Sequence, residues 1–147
     1  MSLRLVLDTN VWLDWLVFHD PVVASIETLV ASGQAEIFIG PACMQELEQA
    51  LTYRLQKRIL DTTAQAACLA ECLKIARMDE GKRIKDEKNP LPTCRDPDDQ
   101  KFLELARDCG ADMLVTKDLA LLELARRKAR PAPFRIVTPA QFAEELR

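Results

Sequence analysis

Four short apolar runs recur along the chain: Leu3-Arg4-Leu5-Val6-Leu7, Glu36-Ile37-Phe38-Ile39, Asp112-Met113-Leu114-Val115-Thr116 and Phe134-Arg135-Ile136-Val137. Each has the length of a strand, and runs of this kind suit a parallel sheet covered on both faces. Between them the spacing changes to three and four residues. Met44, Leu47, Leu51 and Leu55 form one such stripe, and Phe102, Leu103, Ala106 and Cys109 form another that Gly110 terminates. Leu121, Leu122 and Ala125 mark a third helix, and the Ala- and Leu-rich segment from Thr62 to Met78 reads as helical throughout.

The junctions sharpen this pattern. Gly40-Pro41, Asp96-Pro97 and Thr138-Pro139 each set a capping residue before a proline at the first helical position, and two of the three directly follow strands. Strand, cap and helix in repeated succession predict an α/β fold with right-handed crossovers. The four apolar runs are the strands this pattern reads, in a parallel sheet flanked by helices. The polar stretch Asp79 to Arg95 is the least defined, with room for a short strand near Lys82 to Lys85 and then an exposed loop through Asn89-Pro90-Leu91-Pro92. No repeat, low-complexity tract or linker interrupts the chain, so residues 1–147 are expected to form a single domain.

Composition narrows the class. The chain is 48% hydrophobic and 29% charged, ordinary for a water-soluble globular protein, and no apolar run approaches the ~18 residues of a membrane span. Leu3 to Leu7 is too short for a secretory signal core, so the expected location is the cytoplasm, with no membrane partner. The cysteines Cys43, Cys68, Cys72, Cys94 and Cys109 are odd in number and hold no Cys-x-x-Cys pair, which argues for packing residues rather than a disulfide framework or a zinc site. The net charge of −3 is unevenly distributed: residues 54–88 carry +3, residues 117–135 carry +4, and the remainder carries −10. Arg126-Arg127-Lys128-Ala129-Arg130 is the densest basic patch, either a solvated helix end or an anion-binding track.

The candidate chemistry lies in carboxylates. The glycines form no phosphate loop, and a nucleophile–histidine pair would depend on His19 alone. Asp8 directly follows the first strand, and Asp118 follows Val115-Thr116-Lys117 at the end of another. Ligands of open parallel sheets bind beyond the carboxyl ends of strands, where strand order reverses, so these two acids can converge. The simpler alternative is that Asn10 and Asp118 cap the helices that follow them. Asp99 is more telling, because it shares the helical stripe of Phe102, Leu103 and Ala106 and so faces the core. An unpaired buried carboxylate is costly. It requires either a reciprocal capping bond with Asp96 or a cation, whereas Asp98 lies off the stripe and is expected to be exposed. Glu46 stands in the second turn of the helix opened by Pro41, and taken alone it is an ordinary surface residue.

Taken together, these segments resemble a known family. Leu5-Val6-Leu7-Asp8-Thr9-Asn10-Val11 resembles the opening motif of PIN-domain nucleases, and Glu46-Leu47 after Gly40-Pro41 resembles their second acidic motif. Arg95-Asp96-Pro97-Asp98-Asp99-Gln100-Lys101-Phe102-Leu103-Glu104-Leu105-Ala106 is similar to the third, especially in a bacterial branch described as toxins of toxin–antitoxin pairs, and Val115-Thr116-Lys117-Asp118 is similar to the fourth. The resemblance implies an α/β three-layer sandwich with a twisted, about five-stranded parallel sheet flanked by helices, and a metal-dependent endoribonuclease with one or two Mg²⁺ or Mn²⁺ ions held by Asp8, Glu46, Asp99 and Asp118. It also implies that Asn10 and Thr116 orient the site, with Asp98 as the alternative acid beside Asp99. Four acids gathered together repel one another, and a hard divalent cation relieves that repulsion. Arg95 and Lys117 are the candidates for holding RNA phosphates, extended by Arg126, Arg127, Lys128 and Arg130. A single-stranded substrate is expected, since so small a protein has few ways to open a duplex. A small antitoxin covering the acidic groove is an expected partner. A homodimer is expected from the crowding of Trp12, Trp15, Leu16 and Phe18 near the first helix.

Three other readings compete. A non-catalytic module of the same fold would bind RNA or a protein partner without cutting. A receiver-type signalling domain also needs acids, a Thr and a Lys on a parallel sheet, but its acidic pair should follow the first strand, where Asp8 stands alone. A haloacid-dehalogenase-type phosphatase needs a second Asp two residues after Asp8, a position held by Asn10.

Overall fold

The computed structural model describes residues 2–79, 91–128 and 131–146. The strand considered near Lys82 to Lys85 lies outside the described residues, as do Asn89, Pro90 and Arg130. Five parallel strands form one sheet: β1 (Leu3–Leu7), β2 (Ala35–Ile39), β3 (Ala76–Met78), β4 (Met113–Val115) and β5 (Arg135–Val137), in the order β3-β2-β1-β4-β5. The central strand β1 aligns Leu5 with Ile37 of β2 on one side and with Met113 of β4 on the other. Leu5, Val6 and Leu7 are buried, as a strand covered on both faces must be.

Seven helices flank the sheet among the described residues: α1 (Thr9–Leu16), α2 (Ala24–Ala31), α3 (Pro41–Ala50), α4 (Thr62–Ile75), α5 (Gln100–Asp108), α6 (Leu119–Leu122) and α7 (Pro139–Glu145). Their starts follow the local sequence. Asp8, Asp61, Asp118 and Thr138 cap α1, α4, α6 and α7 through their side chains, and Thr138 with Gln141 closes a full capping box. The cap of α1 is therefore Asp8 and not Asn10. Asp96 caps a 3₁₀ turn over Pro97–Asp99 that leads into α5. Gly110 takes φ +65° just past α5, the left-handed conformation that suits glycine at a helix end.

Two expectations are corrected. The helix beginning at Thr62 ends at Ile75, and Ala76–Met78 leaves it as a strand paired in parallel with Ile37–Ile39. Three residues at a sheet edge carry no periodicity of their own, so β2 as a template decides their conformation. The stripe through Leu55 also breaks, because α3 stops at Ala50 and Leu55 reaches the core from a turn that pairs with Arg58.

The five cysteines are free thiols. Burial pushes Cys43 and Cys72 up to about 12 and Cys109 up to about 11, in keeping with packing roles. Trp12 and Leu16 are buried, and Trp15 and Phe18 pack half-buried against the core, so this aromatic cluster chiefly fills the interior. Strand order reverses between β1 and β4, which places the expected ligand crevice at their carboxyl ends. This order also differs from the 2-1-3-4-5 order of receiver-type folds, which removes that reading.

Candidate functional site

At the carboxyl ends of β1 and β4 an open pocket of about 640 Å³ is lined by Asp8, Glu46, Asp96, Asp98, Asp99 and Asp118, together with Lys101. It brings together all four acids expected from the sequence, from four different segments of the chain.

Asp8 is only 3% exposed and both its oxygens are engaged. Oδ1 accepts the Val11 N–H at 2.9 Å, while Oδ2 accepts the Thr116 hydroxyl in a short bond and the Lys117 N–H at 3.3 Å. Burial pushes its carboxyl above the usual carboxylate range, and these bonds oppose that shift. Thr116, itself fully buried, accepts the Asp118 N–H at 2.9 Å on the same hydroxyl oxygen. One side chain at the end of β4 thus ties the acid after β1 to the acid that begins α6. Asp118 also caps α6 by accepting the Ala120 N–H at 2.8 Å, so its capping and pocket-lining positions coincide.

Asp99 ends the turn before α5 and is 8% exposed, while Phe102, Leu103 and Ala106 below it are buried. The reciprocal capping bond is not made among the described residues: the Asp96 carboxylate accepts the Asp98 N–H instead, and Asp99 Oδ2 is buried with no hydrogen-bond partner. Burial, followed by the facing Asp118 carboxyl and then Asp96 and Glu46, pushes the Asp99 acid up to about 7. Asp98 is exposed, as its place off the stripe predicts.

Glu46 is held differently. Its Oε1 lies 2.7 Å from Lys101 Nζ, and its Oε2 accepts a short bond from the Thr9 hydroxyl. Lys101 Nζ also donates to the Asp98 carbonyl at 2.7 Å. Sequence reasoning missed Lys101 and Thr9. A signal for Lys101 was present: it is the second residue of α5, where the helix dipole disfavours a cation, so a compensating carboxylate is called for.

The expected phosphate-binding residues are less available. Lys117 Nζ lies 2.5 Å from Asp14 Oδ2, and Arg95 pairs with Glu123 at 3.1 Å. Arg126, Arg127 and Lys128 are exposed but do not line the acidic pocket. Asn10 is exposed at the rim of the pocket and, unlike Thr9, makes no side-chain bond to the acids.

The donors are hard carboxylate oxygens, and Asp99 Oδ2 has a strong need for a partner, so the residues fit a divalent cation of the Mg²⁺ or Mn²⁺ type. Among the described residues no group of three or more His, Cys, Asp or Glu side chains yet stands ready to hold one ion. Glu46 in particular is engaged by Lys101.

The chain matches the PIN-domain family over residues 4–120. A similar solved structure is that of VapBC2 from Rickettsia felis bound to a DNA fragment from their promoter. It aligns with a TM-score of 0.61 and 16% identity over 92% of this chain and 98% of that chain, a likeness of fold. No curated protein matches the sequence.

Proposed function

We propose that this chain, which belongs to the PIN-domain family of nucleases, is a metal-dependent endoribonuclease acting on single-stranded RNA. The observation that carries this reading is Asp99, whose buried Oδ2 is unpartnered within an acidic pocket at the point where strand order reverses. Asp8, Asp99 and Asp118 are the residues that would hold the first Mg²⁺ or Mn²⁺ ion, with Glu46 on the far side serving that ion or a second one. Bound there, the cation would activate water and neutralise charge at the scissile phosphate. The protein's own residues do the rest. Thr116 keeps Asp8 and Asp118 in fixed relation, and Thr9 orients Glu46. Lys101, the cation that lines the pocket among the described residues, is placed to take a phosphate oxygen in exchange for Glu46. Arg95 and Lys117 could join it only by leaving Glu123 and Asp14. Arg126, Arg127 and Lys128 supply a more distant basic track for the strand.

The biological role proposed is that of a toxin held by a small antitoxin chain laid over the acidic pocket. The fold likeness to the VapBC2 structure supports it. No helix among the described residues is long and apolar enough to cross a membrane, and the proposed site of action is the cytoplasm. The proposal includes a homodimer, for which only the half-buried Trp15 and Phe18 now speak, and sedimentation of the purified protein tests it.

The main test is cleavage of end-labelled single-stranded RNA with Mn²⁺, comparing wild type with Asp99→Asn. Wild type should cut and the variant should not. Equal cleavage by both would assign the activity to a contaminant and remove the reading. A second reading, a non-catalytic binding module, is favoured by the engagement of Glu46 with Lys101. Metal binding and RNA binding without cleavage would select it.

A further inference from the structure

The pocket is larger than a cation needs. At about 30 Å³ per water, an ion with six waters fills roughly 200 Å³, against about 640 Å³ present. The lining is also divided. Asp8, Asp99, Asp118 and Lys101 come from the ends of β1 and β4 and from the start of α5, while Glu46 comes from α3. The neutral part of the lining includes Gln45 and Gln49 on α3, Tyr53 in the turn after it, and Asn10 in the first turn of α1. Gln45 and Gln49 stand four residues apart on one face of α3, with Glu46 next to them on the same helix, so α3 presents both a carboxylate and the neutral wall. Tyr53 is the only tyrosine in the chain, and it is 61% exposed at the pocket rim. Tyr53 thus offers an exposed aromatic face in the same pocket as the carboxamides of Gln45 and Gln49.

We propose that this neutral wall is a nucleobase subsite, in which Tyr53 stacks an unpaired base adjoining the scissile phosphate and Gln45, Gln49 and Asn10 read its edge. An aromatic face accepts any base, whereas a carboxamide offers a donor and an acceptor together and so discriminates among bases. A base-paired nucleotide could not stack in this way, so the subsite gives the preference for single strands a structural origin. The inference rests on the ribonuclease reading and deepens it.

Binding of a fluorescein-labelled single-stranded RNA octamer, read by anisotropy in the Asp99→Asn background, tests the inference. Tyr53→Ala should weaken binding about 5- to 160-fold, the range for loss of one stacked base. Tyr53→Phe should stay within about twofold, because the ring and not the phenol carries the contact. Melting temperatures should match across the three proteins, since the ring is exposed. Octamers with a single abasic site complete the test: at one position the abasic site should abolish the difference between Tyr53 and its Ala variant. The inference is overturned if Tyr53→Ala binds every octamer as well as its parent, or if its deficit is the same at every abasic position. If the parent with Tyr53 intact binds no RNA, the ribonuclease reading falls and takes the subsite with it. If the parent binds RNA and Tyr53 is irrelevant, only the subsite falls.

Discussion

Replacing Asp99 with Asn should make the metal-free protein more stable at pH 8, an unusual outcome for a substitution at a candidate active site. The folded-state acid lies near 7 against an ordinary value of 3.8, because it is buried and faces Asp118. Below 3.8 the group is protonated in both folded and unfolded chains and costs nothing. Between 3.8 and 7 the unfolded chain ionises while the folded chain keeps its proton, so the unfolded chain binds fewer protons and stability falls as pH rises. Above 7 the loss is complete. A shift of this size corresponds to a ceiling of about 4 kcal/mol. For a domain of this length, at roughly 3 °C per kcal/mol, that is about 10 °C in melting temperature. Wild type in EDTA should therefore melt several degrees lower at pH 8 than at pH 5, over and above the slope shared with Asp99→Asn. The variant should overtake wild type near neutrality. Asp8, also shifted upward by burial, supplies a residual slope of the same sign in both proteins. Saturating Mn²⁺ should then restore wild type at pH 8, by about 2.7 kcal/mol at a hundredfold excess over the dissociation constant, and leave the variant nearly unmoved. Parallel pH profiles for the two proteins in EDTA would refute the claim that Asp99 carries an uncompensated buried charge.

Other substitutions probe the remaining parts of the site. Thr116→Val removes the hydroxyl between Asp8 and Asp118; urea unfolding should show a loss of about 1–3 kcal/mol, and Thr116→Ser should recover most of it. Lys101→Met frees Glu46 from its cation, so calorimetric titration should show Mn²⁺ binding several-fold more tightly while RNA affinity declines. Changing Arg126, Arg127 and Lys128 together to Gln should weaken RNA binding evenly across sequences and flatten its salt dependence, with no effect on Mn²⁺ affinity. Leu103→Ala, on the buried face of α5 against β1 and β4, should cost about 2–5 kcal/mol in urea unfolding.

The sequence by itself determined those features whose causes are local. Apolar runs of strand length marked four of the five described strands, and the capping pairs before Pro41, Pro97 and Pro139 marked three helix starts. The helical spacing of Asp99 with Phe102, Leu103 and Ala106 placed its carboxylate on a buried face, because a helix start and its periodicity are set within one turn or two. The family motifs then named Asp8, Glu46, Asp99 and Asp118 together, and these four do line one pocket. Tertiary structure decided whatever depends on a partner distant in the chain. Ala76–Met78 became a strand because β2 offered it an edge. Asp8, and not Asn10, became the cap of α1, where Thr116 from β4 also reaches it. Glu46 is paired with Lys101 from a different helix, and Lys117 and Arg95 are drawn to Asp14 and Glu123. Charge pairing of this kind is long-range and leaves no periodic trace in the sequence. The list of acids was thus legible from the chain, while which of them stand free for a cation was decided by packing.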